Sequence, residues 1–232
     1  MDLKDKVILI TGASRGLGAE IAKQLIISKA KVIAIARNLK QLEELDDFAK
    51  DHNSHITIVP MDISNFANIY ELGQIIYKKF GVLDVFIGNA AIVGSSSPVA
   101  HYTQKTWNNV LDVNFMANWH FIKSFDSLFR LSKNPHCCFM TSNSAHKNRS
   151  FFAAYNAAKA ALESLALTYA NENCNSNLRV NVISLPLLQT KLFKGFLDKE
   201  IENASLPQKY VDDILRVVTH NDSYHTIVNI EN

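Results

Sequence analysis

Cysteine is scarce in this chain and its placement supports no disulfide framework. Of 232 residues only Cys137, Cys138 and Cys174 are cysteine. The number is odd and the first two are adjacent, which fits neither paired bridges nor zinc-ligand spacing. His136 precedes the pair, yet a buried strand with small side chains is the better reading, since free cysteine packs as a small hydrophobe. A reduced, cytoplasmic compartment is the expectation. Charge of one sign is also lacking. The formal net charge is +2, the charges are mixed, and no basic run stands out. Nucleic acid and anionic membranes are therefore not expected partners. No apolar run approaches the ~20 residues that span a bilayer. The early run Val7 to Ile10 is too short for a signal-peptide core and leads straight into a glycine-rich turn. No metal site is expected, because the histidines show no ligand spacing. His52 and His55 fall around a loop and are expected to be solvated.

What is present is an alternation of short β-branched runs with longer helical stretches. Strands are expected at 7–10, 32–36, 56–59, 84–88, 137–141, 179–183 and 225–230. Helices are expected at 17–28, 39–50, 65–79, 106–131, 152–173 and 208–219. Strands apolar at nearly every position, separated by helices, imply a parallel sheet covered on both faces. Right-handed crossovers make it a doubly wound α/β sheet of about seven strands in a single domain. Residues 191–207 follow the sixth strand and carry little helical signal. Segments at the carboxyl ends of strands border the ligand crevice of such a sheet, so this one could act as a substrate lid.

The first strand leads into Thr11-Gly12-Ala13-Ser14-Arg15-Gly16-Leu17-Gly18, and a helix follows. Glycines there permit a tight turn, close approach of backbone to a pyrophosphate, and close packing of helix on strand. A phosphate would sit at the helix N-terminus, where free N–H groups and the dipole favour anions. The second strand ends Ala36-Arg37-Asn38. An acidic residue at this strand end favours NAD, whereas its absence with an arginine nearby favours NADP.

With these residues on view, the chain resembles the short-chain dehydrogenases/reductases, of the non-extended, NADP-preferring type, from about Lys6 to Thr190. The family's glycine motif reads TGASRGLG, and its Y-x-x-x-K reads Tyr155-Asn156-Ala157-Ala158-Lys159. A serine, Ser142, lies thirteen residues before that tyrosine; Asn114 and Asp62 match two further motif positions. The resemblance implies a Rossmann-type fold and hydride transfer between NADP(H) and a carbonyl or secondary-alcohol substrate. It makes Ser142, Tyr155, Lys159 and Asn114 the catalytic set. Gly12, Ser14, Arg15, Gly16, Leu17, Gly18, Arg37, Asn38, Asp62, Ile63, Asn89, Ala90, Leu188 and Thr190, with Tyr155 and Lys159, become the cofactor contacts. A homodimer or homotetramer is implied as well. Phe121, Ile122, Phe125, Leu128, Leu162, Leu165, Ala166 and Tyr169 would suit pairing or core packing equally.

The chemistry of these residues agrees with that reading. Tyr155 and Lys159 are four apart on a helical stretch and share a face. A nearby ammonium is expected to lower the phenol's pKa so that it can exchange a proton near neutrality. Ser142 can hydrogen-bond the substrate carbonyl, with Ser144 as the alternative. Asn114 is expected either in a proton relay or as a helix-surface amide. Three features depart from the family pattern: Ala91 stands where a glycine is usual, Leu185-Pro186 carries its proline one place late, and 227–232 stand in place of the family's frequent glycine-rich tail. Two other readings compete: a 3-oxoacyl-thioester reductase of fatty-acid synthesis, and a non-catalytic NADP(H)-binding sensor.

Overall fold

The β-branched runs become strands and the amphipathic stretches become the helices that cover them. This is seen in a computed structural model that describes residues 1–143, 147–219 and 227–230. The first half runs β1 (Val7–Thr11), α1 (Gly16–Ile27), β2 (Lys31–Ala36), α2 (Leu39–Asp51), β3 (Ile56–Pro60), α3 (Phe66–Phe80) and β4 (Val85–Gly88). The second half begins with α4 (Gln104–Leu111), a π-helical turn (Asp112–Met116), α5 (Ala117–Phe129), β5 (His136–Ser142) and α6 (Ala153–Glu172). It ends with β6 (Arg179–Leu185), α7 (Asp198–Glu202), α8 (Val211–Thr219) and β7 (Ile227–Asn229).

The strands form one seven-stranded sheet in the order β3-β2-β1-β4-β5-β6-β7. Every pairing is parallel. Because side chains alternate along a strand, each strand feeds two cores. Ile8, Ile10, Val32, Ala34, Val85 and Ile87 pack with α1, α2 and α8. Val7, Leu9, Ile33, Ile35 and Phe86 pack with α3, α5 and α6 on the other face. The adjacent Cys137 and Cys138 divide between the two cores, and both are fully buried. The strand order reverses between β1 and β4. The carboxyl ends of those strands therefore open a crevice, the usual ligand position in such a sheet.

Three boundaries differ from expectation. The single helix expected at 106–131 is interrupted by the π-helical turn, one extra residue in the ladder that re-aims the side chains around it. The late helix is α8 alone, preceded by a 3₁₀ turn at Pro207–Tyr210 whose proline fits the first turn. The last strand is confined to Ile227–Asn229; residues 225 and 226 of the expected strand lie outside the described residues. The 191–207 segment contains the short helix α7, which sequence periodicity was too brief to show. Phe121, Ile122, Phe125, Leu128, Leu162, Ala166 and Tyr169 are all core residues, so they carry no argument for pairing of copies. Among the described residues, no helix is long and apolar enough to cross a membrane.

Candidate active site

The crevice is built around Thr11, the last residue of β1. Its hydroxyl oxygen accepts hydrogen bonds from the N–H groups of Asn89 and Ala90, each at 3.0 Å. The Asn89 amide donates to the Thr11 carbonyl at 2.9 Å. These bonds tie the loop after β4 to the glycine turn. The approach is so close that two glycines are obligatory. Gly12 has φ +69°, and a Cβ there would lie 2.9 Å from the Ala90 Cα. A Cβ on Gly18 would lie 2.3 Å from the Gly12 carbonyl oxygen, inside any tolerable contact. Arg15 stands at the N-cap of α1 and makes no side-chain cap. The first turn of α1 thus opens on the crevice with its backbone donors aimed outward, a cradle for an anion.

A cavity of about 540 Å³ runs from this turn to the ends of β5 and β6. Every cofactor contact expected from the sequence lines it, and so do Ser142, Tyr155 and Lys159. Asn114 does not. Gln41, Ile92, Val113, Leu187, Leu192 and Phe193 also line the cavity. None of these had a motif to mark it. Ser144, the alternative to Ser142, lies outside the described residues.

At one end, Ala36 is buried and Arg37 is exposed. The Arg37 guanidinium lies 4.0 Å from the Asp62 carboxylate, with 65% and 49% of the two side chains exposed. A pair so exposed is weak and leaves the guanidinium available to another anion. Asp62 is otherwise held by Ser64, whose N–H and hydroxyl both donate to it, at 2.9 and 2.7 Å. Burial pushes the Asp62 carboxyl up, but the Ser64 bonds and Arg37 outweigh it and the net pKa is lowered. Asn38 caps α2, its side-chain oxygen accepting from the Gln41 N–H at 3.1 Å.

At the other end, Tyr155 is 3% exposed and Lys159 is 2% exposed. Burial pushes the Tyr155 phenol up to about 12, against which the Ser142 hydrogen bond pulls down. The expected lowering of this phenol by Lys159 is not found. The Lys159 ammonium is directed instead to the Met140 carbonyl, to which it donates at 2.7 Å. It lies 5.8 Å from the centre of the Tyr155 ring. Burial also lowers Lys159, to about 8, while the Glu163 carboxylate one turn further along α6 opposes that fall. Glu163 is itself buried and accepts from the Thr141 hydroxyl at 2.5 Å.

Asn114 corrects a second expectation. It is fully buried in the π-helical turn rather than on a helix surface. Its side-chain oxygen accepts from the Ile92 N–H and its amide donates to the Ile92 carbonyl, both at 2.8 Å. The side chain acts as a main-chain partner for the loop after β4. Ala91 sits in the cavity wall, and no residue from Leu185 to Thr190 adopts a positive φ. The turn after β6 is closed by the Thr190 N–H donating to the Leu188 carbonyl at 2.8 Å. The Gln189 N–H donates to the Ser205 carbonyl at 2.9 Å, which pins the 191–207 segment at both ends.

The short chain dehydrogenase family model matches residues 6–201. The chain belongs to the short-chain dehydrogenase family. Curated relatives carry the same class of activity in their names. The uncharacterized oxidoreductase SERP2049 of Staphylococcus epidermidis is 27% identical over 193 residues, covering 83% of this chain and 82% of the relative. The uncharacterized oxidoreductase SSP1627 of Staphylococcus saprophyticus is 29% identical over 203 residues, covering 87% and 81%. Among solved structures, a Pseudomonas syringae protein described as a short chain dehydrogenase superposes with a TM-score of 0.92 at 26% identity, over 98% of this chain and 95% of that one. A Shigella flexneri relative, solved with NADP, superposes with a TM-score of 0.92 over 98% of both chains; at 24% identity it speaks to the fold. This short-chain dehydrogenase is an oxidoreductase, and the family's seven-stranded Rossmann sheet is the fold described above.

Proposed function

We propose that this short-chain dehydrogenase interconverts a carbonyl and a secondary alcohol with NADP(H), using Tyr155 as the acid–base group. One observation carries the reading: Ser142, Tyr155 and Lys159 meet in the same cavity as the glycine turn and Arg37. A dinucleotide fits the cradle. The tight glycine contacts at Gly12 and Gly18 hold the turn against the loop after β4, and the uncapped first turn of α1 offers N–H donors to a pyrophosphate. Arg37 with no acid at Ala36 suits a 2′-phosphate, with Arg15 as a second cation. Asp62 and Ile63 would hold the adenine end, and Leu188 and Thr190 the carboxamide end.

When bound, the nicotinamide supplies or accepts the hydride. The protein supplies the proton. A phenol with a pKa of about 12 stays protonated at neutral pH, so Tyr155 is a donor to the oxygen of a carbonyl under reduction. Ser142 orients that oxygen and the phenol together. The Lys159 ammonium would reach the tyrosinate left behind by turning from the Met140 carbonyl. Asn114 contributes by fixing Ile92, which forms part of the wall. The 191–207 segment covers the substrate side. Pairing into a homodimer or homotetramer belongs to the same reading, and light scattering would report it.

The test is cofactor-dependent turnover across a panel of aldehydes and ketones. Oxidation of NADPH in preference to NADH is expected, with Arg37→Asp reversing the order and weakening NADPH on the order of 10-fold or more, the loss of one charged hydrogen bond. Equal use of both cofactors by the native protein would refute the NADP assignment. NADPH binding without turnover of any carbonyl would favour the sensor reading.

A further inference from the structure

The substrate end of the cavity has a chemical character of its own. Phe193 is 7% exposed and lines the cavity beside Tyr155. Its ring stands edge-on to the Tyr155 ring, with centroids 5.4 Å apart at 75°. It is also edge-on to Phe152, at 5.7 Å and 82°, and Phe152 meets Phe196 at 6.1 Å and 84°. Three rings thus fix the orientation of the wall that faces the phenol. Phe193 is held from its own main chain as well, its carbonyl accepting from the N–H groups of Phe196 and Leu197 at 3.0 and 3.1 Å. Arg149 clamps α7 from outside through an ion pair to Glu200. Ile92, Leu187 and Leu192 complete this wall.

Charge is distributed unevenly along the cavity. Among the described residues, Arg15, Arg37 and Asp62 line the end formed by β1 to β3. On the β5–β6 side the described charged groups are Lys159, which is committed to the Met140 carbonyl, and Lys191. Lys191 is exposed and follows Thr190, which packs on the glycine turn: a Cβ on Gly16 would lie 3.3 Å from the Thr190 methyl. Lys191 therefore lies between the two ends, after Thr190 and two residues before Phe193. The wall made by Phe193, Ile92, Leu187 and Leu192 itself offers a carboxylate or phosphate no partner for its charge.

We propose that Phe193 is the specificity-determining residue of this site and that the substrate is an uncharged ketone or aldehyde bearing an aromatic ring next to the carbonyl. The ring would take the edge-to-face position against Phe193, with the carbonyl oxygen at Ser142 and Tyr155. The inference rests on the carbonyl-reductase reading above, and it deepens it.

The experiment compares an aryl ketone, an alkyl ketone and a small 2-oxo acid with the native protein and NADPH. The aryl ketone is expected to have the highest kcat/KM. Phe193→Ala should lower the aryl-to-alkyl ratio roughly 2- to 10-fold, the contribution of one aromatic pair, and Phe193→Leu, which keeps apolar bulk, should lower it similarly. Preference for the oxo acid, or a ratio unmoved in Phe193→Leu, overturns the inference. Saturation-transfer NMR on the NADPH complex separates it from the catalytic reading. Aryl-ketone binding that is lost in Phe193→Leu, without turnover, sustains the inference and removes the catalytic assignment. Tyr155-dependent turnover of the oxo acid alone does the reverse. An aryl ketone neither bound nor turned over overturns the inference.

Discussion

Tyr155 and Lys159 are perturbed in opposite directions by one cause, the removal of water from around both. The phenol at about 12 keeps its proton and the ammonium at about 8 is close to losing one. The pH dependence of reduction follows from the second group. A cation with a depressed pKa is lost as pH rises, so carbonyl reduction should decline as pH passes through about 8. A steady-state profile with NADPH saturating checks this; a plateau reaching past pH 10 would remove Lys159's charge from the mechanism. The identities of these two residues were legible because four-residue spacing puts them on one face of a helix. Their electrostatics were not. Spacing could not show that the ammonium turns to the Met140 carbonyl, because that partner comes from β5 and is a main-chain atom. Arg37 was legible for a similar reason to Tyr155, since a strand end is easy to place. Phe193 was not, because it lies in a segment with no period.

At the scale of elements, the turn between β1 and α1 and the π-helical turn before α5 hold the site together. Gly18→Ala would place a methyl carbon 2.3 Å from the Gly12 carbonyl. Overpacking of this kind costs about 3 kcal/mol, and chemical denaturation with an NADPH titration should show lower stability and lost binding together. Asn114→Ala removes two hydrogen bonds and leaves the Ile92 main chain without its partner in a partly buried loop. A loss of about 2 kcal/mol is expected in the same denaturation assay, with a larger KM than kcat effect because Ile92 lines the substrate wall. The glycine turn could be read from sequence because its three glycines sit between an evident strand and an evident helix. The π-helical turn could not, since an extra residue in a helix leaves the apolar pattern almost intact. For that reason the sequence could single out Asn114 but could not show its pairing with the Ile92 main chain.

At the scale of the whole molecule, the sheet that presents the site also buries a histidine at the opposite end of its strands. His136 is fully buried at the start of β5, where its ring meets the Val218 carbonyl of α8 at 3.0 Å and Asn181 of β6 at 2.6 Å. Burial, with Arg179 adding to it, lowers its pKa from 6.5 to about 4. The unfolded chain therefore binds a proton that the folded chain refuses between those values. Stability is full above pH 6.5 and falls by about 3 kcal/mol as pH drops to about 4. Urea midpoints across that range check the slope, and His136→Gln should flatten it. The parallel sheet of about seven strands with helices on both faces followed from β-branched runs separated by helical stretches, whereas the strand order and the division of the two cores came only from the structure. The cavity wall around Phe193 depends on how residues 191–207 return over the sheet, which no local pattern encodes. The claim that joins these scales is that one cavity holds NADPH at one end and a proton donor at the other. Tyr155→Phe tests it when NADPH affinity and ketone turnover are measured on the same protein. Turnover should fall by about 100-fold or more while NADPH affinity is retained; turnover that survives the loss of the hydroxyl would contradict it.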